Sequence, residues 1–267
     1  MPILIMLASA LSIIALVKYG LVPGIDRLSI ALGWSLKARG KATGYATSVP
    51  EFVTLVAAGL SGVWDAGLWN IASSNLINLT LATLAVVIYR RGPDVFDARF
   101  LKEMFFAGLG ILAPLVLMQL GSDTQPLVIP LLLVCFIVYL MVDKSDGETI
   151  ESANDVPTSG PMVGVLYCVG SLALIMLAGN FLGSATRDVV LQLGIPALVA
   201  GWILGLVTSL PEAVTFFEVF SSKRSGGSPD RKAQIQELLD NLAASNMSNS
   251  GLIYPLGLGV FLLASQL

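Results

Sequence analysis

Two short stretches of this chain hold the residues whose types and spacing could do chemistry. Residues 47–51 read Thr-Ser-Val-Pro-Glu, and residues 208–212, 161 positions on, read Thr-Ser-Leu-Pro-Glu, each inside an apolar run. A carboxylate at membrane depth is costly unless it faces a cavity, a partner or a travelling ion, so Glu51 and Glu212 are functional candidates by default. Proline has no amide hydrogen, so Pro50 cannot bond the carbonyl of Ala46, nor Pro211 that of Val207. Carbonyls freed in lipid need water, a side chain or a cation, and broken helices lining a cavity present such oxygens to ions in transporters. Ala46 and Val207 are therefore candidate carbonyl ligands.

Helical spacing puts Thr47 and Ser48 on one face with Glu51, and Thr208 and Ser209 on one face with Glu212. A second polar stretch, residues 70–78, matches residues 241–249 at an offset of 171, and within it Ser74 with Asn78, and Ser245 with Asn249, repeat an i,i+4 geometry. Every candidate ligand is an oxygen. The chain has no histidine, and Cys135 and Cys168 sit in separate apolar runs without metal-ligand spacing. Such a set favours hard cations, Ca2+, Na+ or Mg2+, over zinc or copper. Two carboxylates and two carbonyls approach the roughly 6–8 oxygens that Ca2+ takes, and hydroxyls and amides complete Na+ sites. Two like charges converging in a medium of low dielectric repel, so protons are expected to compete for the site.

The elements that must position these groups are membrane helices. Hydrophobic residues make up 55% of the 267, mean hydropathy is +0.81, and only 12% are charged, against about 25% in soluble domains. The apolar runs are about 20 residues long rather than alternating strands of roughly 10, which excludes a barrel. Spans are expected near 3–31, 38–61, 66–90, 101–121, 126–142, 161–184, 194–221 and 237–264. The first run lacks a basic leader and a cleavage site and reads as a retained helix.

The expected fold is an all-α inverted-repeat bundle of about eight helices, five plus three, broken at the two Thr-Ser-x-Pro-Glu motifs. Residues 1–142 form the first repeat, 143–160 an acidic linker, and 161–267 the second repeat. Five helices before the linker turn the second copy upside down. Gly33 and Gly194, each 18 residues before its glutamate, extend the repeat. Basic residues at 37–41, 90–102 and 223–232 place the N-terminus outside and the linker in the cytoplasm of a cell (inner) membrane. The linker acids and Glu218 are expected to be solvated. A net charge of −3 gives no reason to expect nucleic acid.

These repeats resemble the α-repeats of the sodium/calcium exchanger family, whose hallmark is a Gly/Ala-Thr-Ser-Leu-Pro-Glu stretch followed by a Gly-Ser-Asn stretch, twice. The matching residues are Ala46 to Glu51 with Ser74, Asn75 and Asn78, and Val207 to Glu212 with Ser245, Asn246 and Asn249. The resemblance implies a secondary antiporter that exchanges Ca2+ against Na+ at one midplane site by alternating access, the first and sixth helices sliding. The expected ligands are Ala46, Thr47, Ser48, Glu51, Ser74, Asn78, Val207, Thr208, Ser209, Glu212, Ser245 and Asn249. No cofactor is expected; the partners are Ca2+, Na+ and membrane lipids.

Three departures qualify that picture. Asn249 stands where exchangers often carry an aspartate. Lys37, Arg39 and Lys41 replace residues that are usually apolar. The sequence stops after the counterpart of the eighth of ten helices, which brings a homodimer or a partner chain into view. Proton/calcium exchange is the alternative mechanism, and a non-transporting scaffold the alternative class. Lys18, within the first span, is the internal ammonium that would compete for Glu51 and Glu212. Gly59-Leu-Ser-Gly62 resembles an intramembrane protease motif, but with no histidine to serve as base an enzyme is not expected.

Overall fold

The computed structural model describes residues 1–34, 36–143, 161–220 and 231–266. The expectations resting on residues 144–160, Lys223 and Arg224 lie outside them, as do the side chains of Lys37, Arg39 and Glu218.

The described residues form an all-helical bundle of eight long helices, some of them broken. These are α1 (Pro2–Ala31), α2 (Leu36–Thr47 and Val49–Leu60), α3 (Trp64–Ile88), α4 (Leu101–Gln119), α5 (Val128–Val142), α6 (Pro161–Gln192), α7 (Ala197–Thr208 and Leu210–Glu218) and α8 (Arg231–Ser248, continued through Asn249–Ile253 to Tyr254–Ala264). Six segments are long and apolar enough to cross a membrane, so the chain is an integral membrane protein. The fifth helix is shorter at 15 residues, and the second is interrupted at Ser48.

Two boundaries differ from the hydropathy reading. The sixth helix runs on to Gln192 through a π-turn. The eighth starts at Arg231, because its first turns bury polar Gln234 and Asp240 together with Ile235, Leu238 and Leu239. A hydropathy window misses such a start because its buried polar residues lower the average.

Matching helices of the two repeats run antiparallel. Along α1 and α6, Gly20 meets Ser171 while Gly24 meets Gly164 and Cys168. On α3 and α8, Asn75 meets Asn249 and Ser250 while Asn78 meets Ser245. The glycines of the broken helices repeat the relationship: a Cβ on Gly44 would meet Ala244 at 3.1 Å, and one on Gly205 would meet the Ser73 hydroxyl at 2.1 Å. Ser73 and Ala244 occupy matching positions in the two polar stretches. Bare backbone at Gly44 and Gly205 thus lets each broken helix lie directly on the polar helix of the other repeat. Gly33 (φ 64°) and Gly194 (φ 66°) end the preceding helices in the left-handed conformation that glycine adopts freely.

Asp143 corrects an expectation. Placed by sequence in a solvated linker, it instead terminates α5 at 3% exposure and pairs with Lys41 and Lys102. Those two lysines come from α2 and α4, so nothing local to residue 143 signalled its burial. Outside the membrane, Arg231 binds Asp94 at 3.0 Å and Lys232 binds Asp97 at 2.9 Å, clamping the start of α8 to the turn after α3. The Lys232 hydrogen bond holds the Asp97 carboxyl below its usual range.

Candidate cation site

Both broken helices break at the same residue of the motif. Ser48 (φ −83°, ψ −1°) separates the arms of α2, and Ser209 (φ −81°, ψ 3°) those of α7. Pro50 and Pro211 stand at the second position of the new arm, where proline's missing amide is tolerated. Each second arm opens with a backbone bond to the serine at the break, from the amide of Phe52 to the carbonyl of Ser48 (3.2 Å) and from Ala213 to Ser209 (3.1 Å). Glu51 and Glu212 fall in the first turn of their arms, where exposed amides favour negative charge.

The two carboxylates converge. Both are 0% exposed and lie within electrostatic range of each other. Glu51 neighbours the hydroxyls of Thr208 and Ser74, while Glu212 neighbours those of Thr47 and Ser245. Each glutamate therefore sits with the threonine of the opposite repeat and the serine of its own. These are two equivalent half-sites of one carboxylate and two hydroxyls.

The surrounding hydrogen bonds cross between repeats. The Ser48 and Ser245 hydroxyls are 3.0 Å apart, Asn78 Nδ2 donates to Ser245 Oγ at 3.1 Å, and Ser245 Oγ to Glu212 Oε1 at 3.3 Å. On the other side Thr208 Oγ1 donates to Asn70 Oδ1 at 3.1 Å and lies 3.2 Å from Ser74 Oγ. The remaining acceptors are without partners: both oxygens of Glu51, Glu212 Oε2, Asn78 Oδ1, Asn249 Oδ1 and the Ser209 hydroxyl are buried and accept no hydrogen bond. Buried oxygens in that state call for a cation, a proton or water. Their chemistry fits a hard cation as cargo.

Ten of the twelve candidate residues have side chains within this cluster. Thr47, Ser48, Glu51, Ser74, Asn78, Thr208, Ser209, Glu212, Ser245 and Asn249 are all at most 1% exposed. Ala46 and Val207, proposed for their carbonyls, end the first arms and pack into the apolar cluster between α1, α6 and α7. Lys18 stands apart: it is exposed, its ammonium 5.5 Å from the Tyr19 ring. Among the described residues no ammonium or guanidinium pairs with Glu51 or Glu212.

Sequence reasoning missed a supporting layer. Pro114 lies inside α4 and, lacking an amide hydrogen, frees the carbonyl of Gly110. That oxygen accepts from Asn75 Nδ2 at 2.9 Å and from the Ser250 hydroxyl, and Asn75 Oδ1 in turn accepts from Asn249 Nδ2 at 2.8 Å. A proline inside an apolar run beside an asparagine-rich helix was the available signal.

A family profile described as sodium/calcium exchanger protein matches residues 2–143 and 163–265. The chain belongs to this family. Exchangers are transporters, so this exchanger is a membrane cation/calcium transporter and not an enzyme. Its fold is that of solved exchangers. An H+/Ca2+ exchanger, CAX, superposes with a TM-score of 0.67 at 13% identity, covering 99% of this chain and 68% of that one. The sodium-calcium exchanger NCX_Mj, soaked with Na+ and Sr2+, gives 0.54 at 18% identity, covering 100% and 89%. No curated protein matches by sequence.

Proposed function

We propose that this exchanger carries Ca2+ between Glu51 and Glu212 by alternating access and returns two monovalent charges, as Na+, at the same pair. The pairing of half-sites supports this reading: each glutamate has the threonine of one repeat and the serine of the other beside it. Ca2+ bridging both carboxylates neutralises two charges, and one Na+ in each half-site neutralises the same two. The hydroxyls of Thr47, Ser48, Ser74, Thr208, Ser209 and Ser245 and the amide oxygens of Asn78 and Asn249 complete either shell, with the carbonyls of Ala46 and Val207 at the breaks.

A specific observation favours protons as the alternative counter-ion. The positions flanking the glutamate pair on α3 and α8 are the neutral amides Asn78 and Asn249, so the side chains supply two negative charges and no third. Two protons satisfy them as fully as two Na+. The repeats, residues 1–142 and 161–267, would switch access as their first helices, α1 and α6, slide, with the N-terminus outside the cell.

Radioactive Ca2+ uptake into liposomes tests both. An outward Na+ gradient at clamped pH should drive uptake, and Glu51→Gln or Glu212→Gln should abolish it while the protein remains folded by size-exclusion chromatography. Uptake driven by a pH gradient without Na+ selects the proton reading. Undiminished uptake in either glutamine variant overturns the site.

A further inference from the structure

An ion cluster at the end of α2 far from Glu51 plays no part in the site above. Glu103 on α4, Asp143 ending α5 and Asp240 on α8 bring carboxylate oxygens within 4.8 Å of one another, and none is more than 4% exposed. Lys41 on α2 pairs with Asp143, and Lys102 Nζ lies 3.4 Å from Glu103 Oε1 and 3.5 Å from Asp143 Oδ1. The Gln236 amide donates to both Glu103 and Asp240 at 3.0 Å. Four helices are tied together here, one of them the arm that ends in Ala46 and Thr47.

A polar path leads from this cluster to the cation site. Asn241 follows Asp240, and its Nδ2 donates to Thr215 Oγ1 at 3.0 Å, which donates to the carbonyl of Glu212 at 3.0 Å. Asn241 is only 3% exposed, yet its Oδ1 has no hydrogen-bond partner. Opposite it stands Gly44, where even a Cβ would lie 3.1 Å from that oxygen. The carbonyl of Gly44 accepts from the Thr47 and Ser48 hydroxyls at 3.1 and 3.0 Å. Along the axes, Asp240 to Ser245 is about 7.5 Å and Lys41 to Ser48 about 10.5 Å at 1.5 Å per residue. A buried amide oxygen without a partner, between the ion cluster and the glutamate pair, is an acceptor that a passing cation or water would satisfy once Gly44 moves away.

We propose that cations reach Glu51 and Glu212 from this end past Asn241, and that the Lys41–Asp143 and Lys102–Glu103 pairs are the closed gate of that route. The lysine ammoniums act as tethered charges, holding the carboxylates that a travelling cation must pass. Opening exchanges these lysines for the cation as the first arm of α2 moves. The lysines are partly exposed, 19% for Lys41 and 29% for Lys102, while their carboxylates are buried, so removing a lysine leaves a buried acid unpaired, which is disfavoured. The proposal rests on the exchange reading above.

Thiol labelling tests it without any transported ion. In protein carrying Cys135→Ser, Cys168→Ser and Asn241→Cys, a charged methanethiosulfonate reagent should modify position 241 slowly. Adding Lys41→Gln and Lys102→Gln should raise the rate at least tenfold, from one face of the vesicle only. The exchange Lys41→Asp with Asp143→Lys rebuilds the pair with its ends reversed and should restore slow labelling, which a general loosening of the fold would not do. An unchanged rate with both lysines removed, or an equal rise from both faces, overturns the gate. Failure of Ca2+ uptake would sink the exchange reading and leave this labelling result as it stands.

Discussion

The hydroxyls of Ser48 and Ser245 lie 3.0 Å apart, joining the break in one repeat to the polar helix of the other. Each hydroxyl has one proton. With Ser245 donating to Glu212 Oε1, Ser48 must donate to Ser245 and release the Gly44 carbonyl. With Ser48 donating to Gly44 instead, the contact between the hydroxyls is a hydrogen bond only when Ser245 donates to Ser48, which takes the Ser245 proton away from Glu212 Oε1. Rotation of the two hydroxyls together therefore switches Glu212 Oε1 between accepting from Ser245 and standing without a donor, the state in which the proposed cation would be bound.

Ser48→Ala and Ser245→Ala should each weaken Ca2+ binding several-fold. Their effects should be non-additive by about 1 kcal/mol, the net worth of one buried hydrogen bond. A double-mutant cycle on Ca2+-dependent thermal shifts measures the coupling, and strict additivity would contradict the shared relay.

Asn249→Asp should destabilise the protein in chelator and be rescued by Ca2+. The substitution replaces the Nδ2 donor, 2.8 Å from Asn75 Oδ1, with an acceptor, and Asn75 cannot flip to compensate while its amide serves Gly110 and Ser250. The added carboxylate meanwhile strengthens attraction for cations. Melting curves with chelator and with Ca2+ should separate by more degrees than in the native protein.

Gly110→Ala should lower the melting temperature sharply. A Cβ there would meet the Asn246 carbonyl carbon and oxygen at 2.7 Å, so α4 and α8 must part. Overpacking of this kind costs about 1–3 kcal/mol. A thermal scan in detergent checks the direction, and an unshifted midpoint would show that the contact yields freely.

Lys18→Met should leave Ca2+ flux within about twofold of the native rate. Lys18 is exposed and far from the paired acids in its contacts, while desolvating an ammonium in lipid is unfavourable. Loss of flux would return Lys18 to the site as an internal competitor.

The fold, and the meeting of Glu51 with Glu212 at the candidate site, were legible because repeated proline–glutamate motifs and apolar runs are local signals. Gly33 and Gly194 carried the repeat as far as the matching left-handed turns. What could not be read was set by helices distant in sequence. Asp143 looks like a linker acid until Lys41, 102 residues away, reaches it. Glu103 and Asp240 lie in spans whose averaged hydropathy hides them, and Ser250 gains its role only because Pro114 frees a carbonyl 140 residues earlier.

The two serines at the breaks have the same backbone angles but unlike surroundings: Ser48 is bonded to Gly44 and Ser245, while the Ser209 hydroxyl has no partner. A transporter whose halves were energetic equals would rest evenly between its two faces. On the proposed alternating-access reading, unequal bonding at the paired breaks favours one conformation. One half-step of the cycle then runs downhill, and the return step uphill by the same amount, until a gradient is applied.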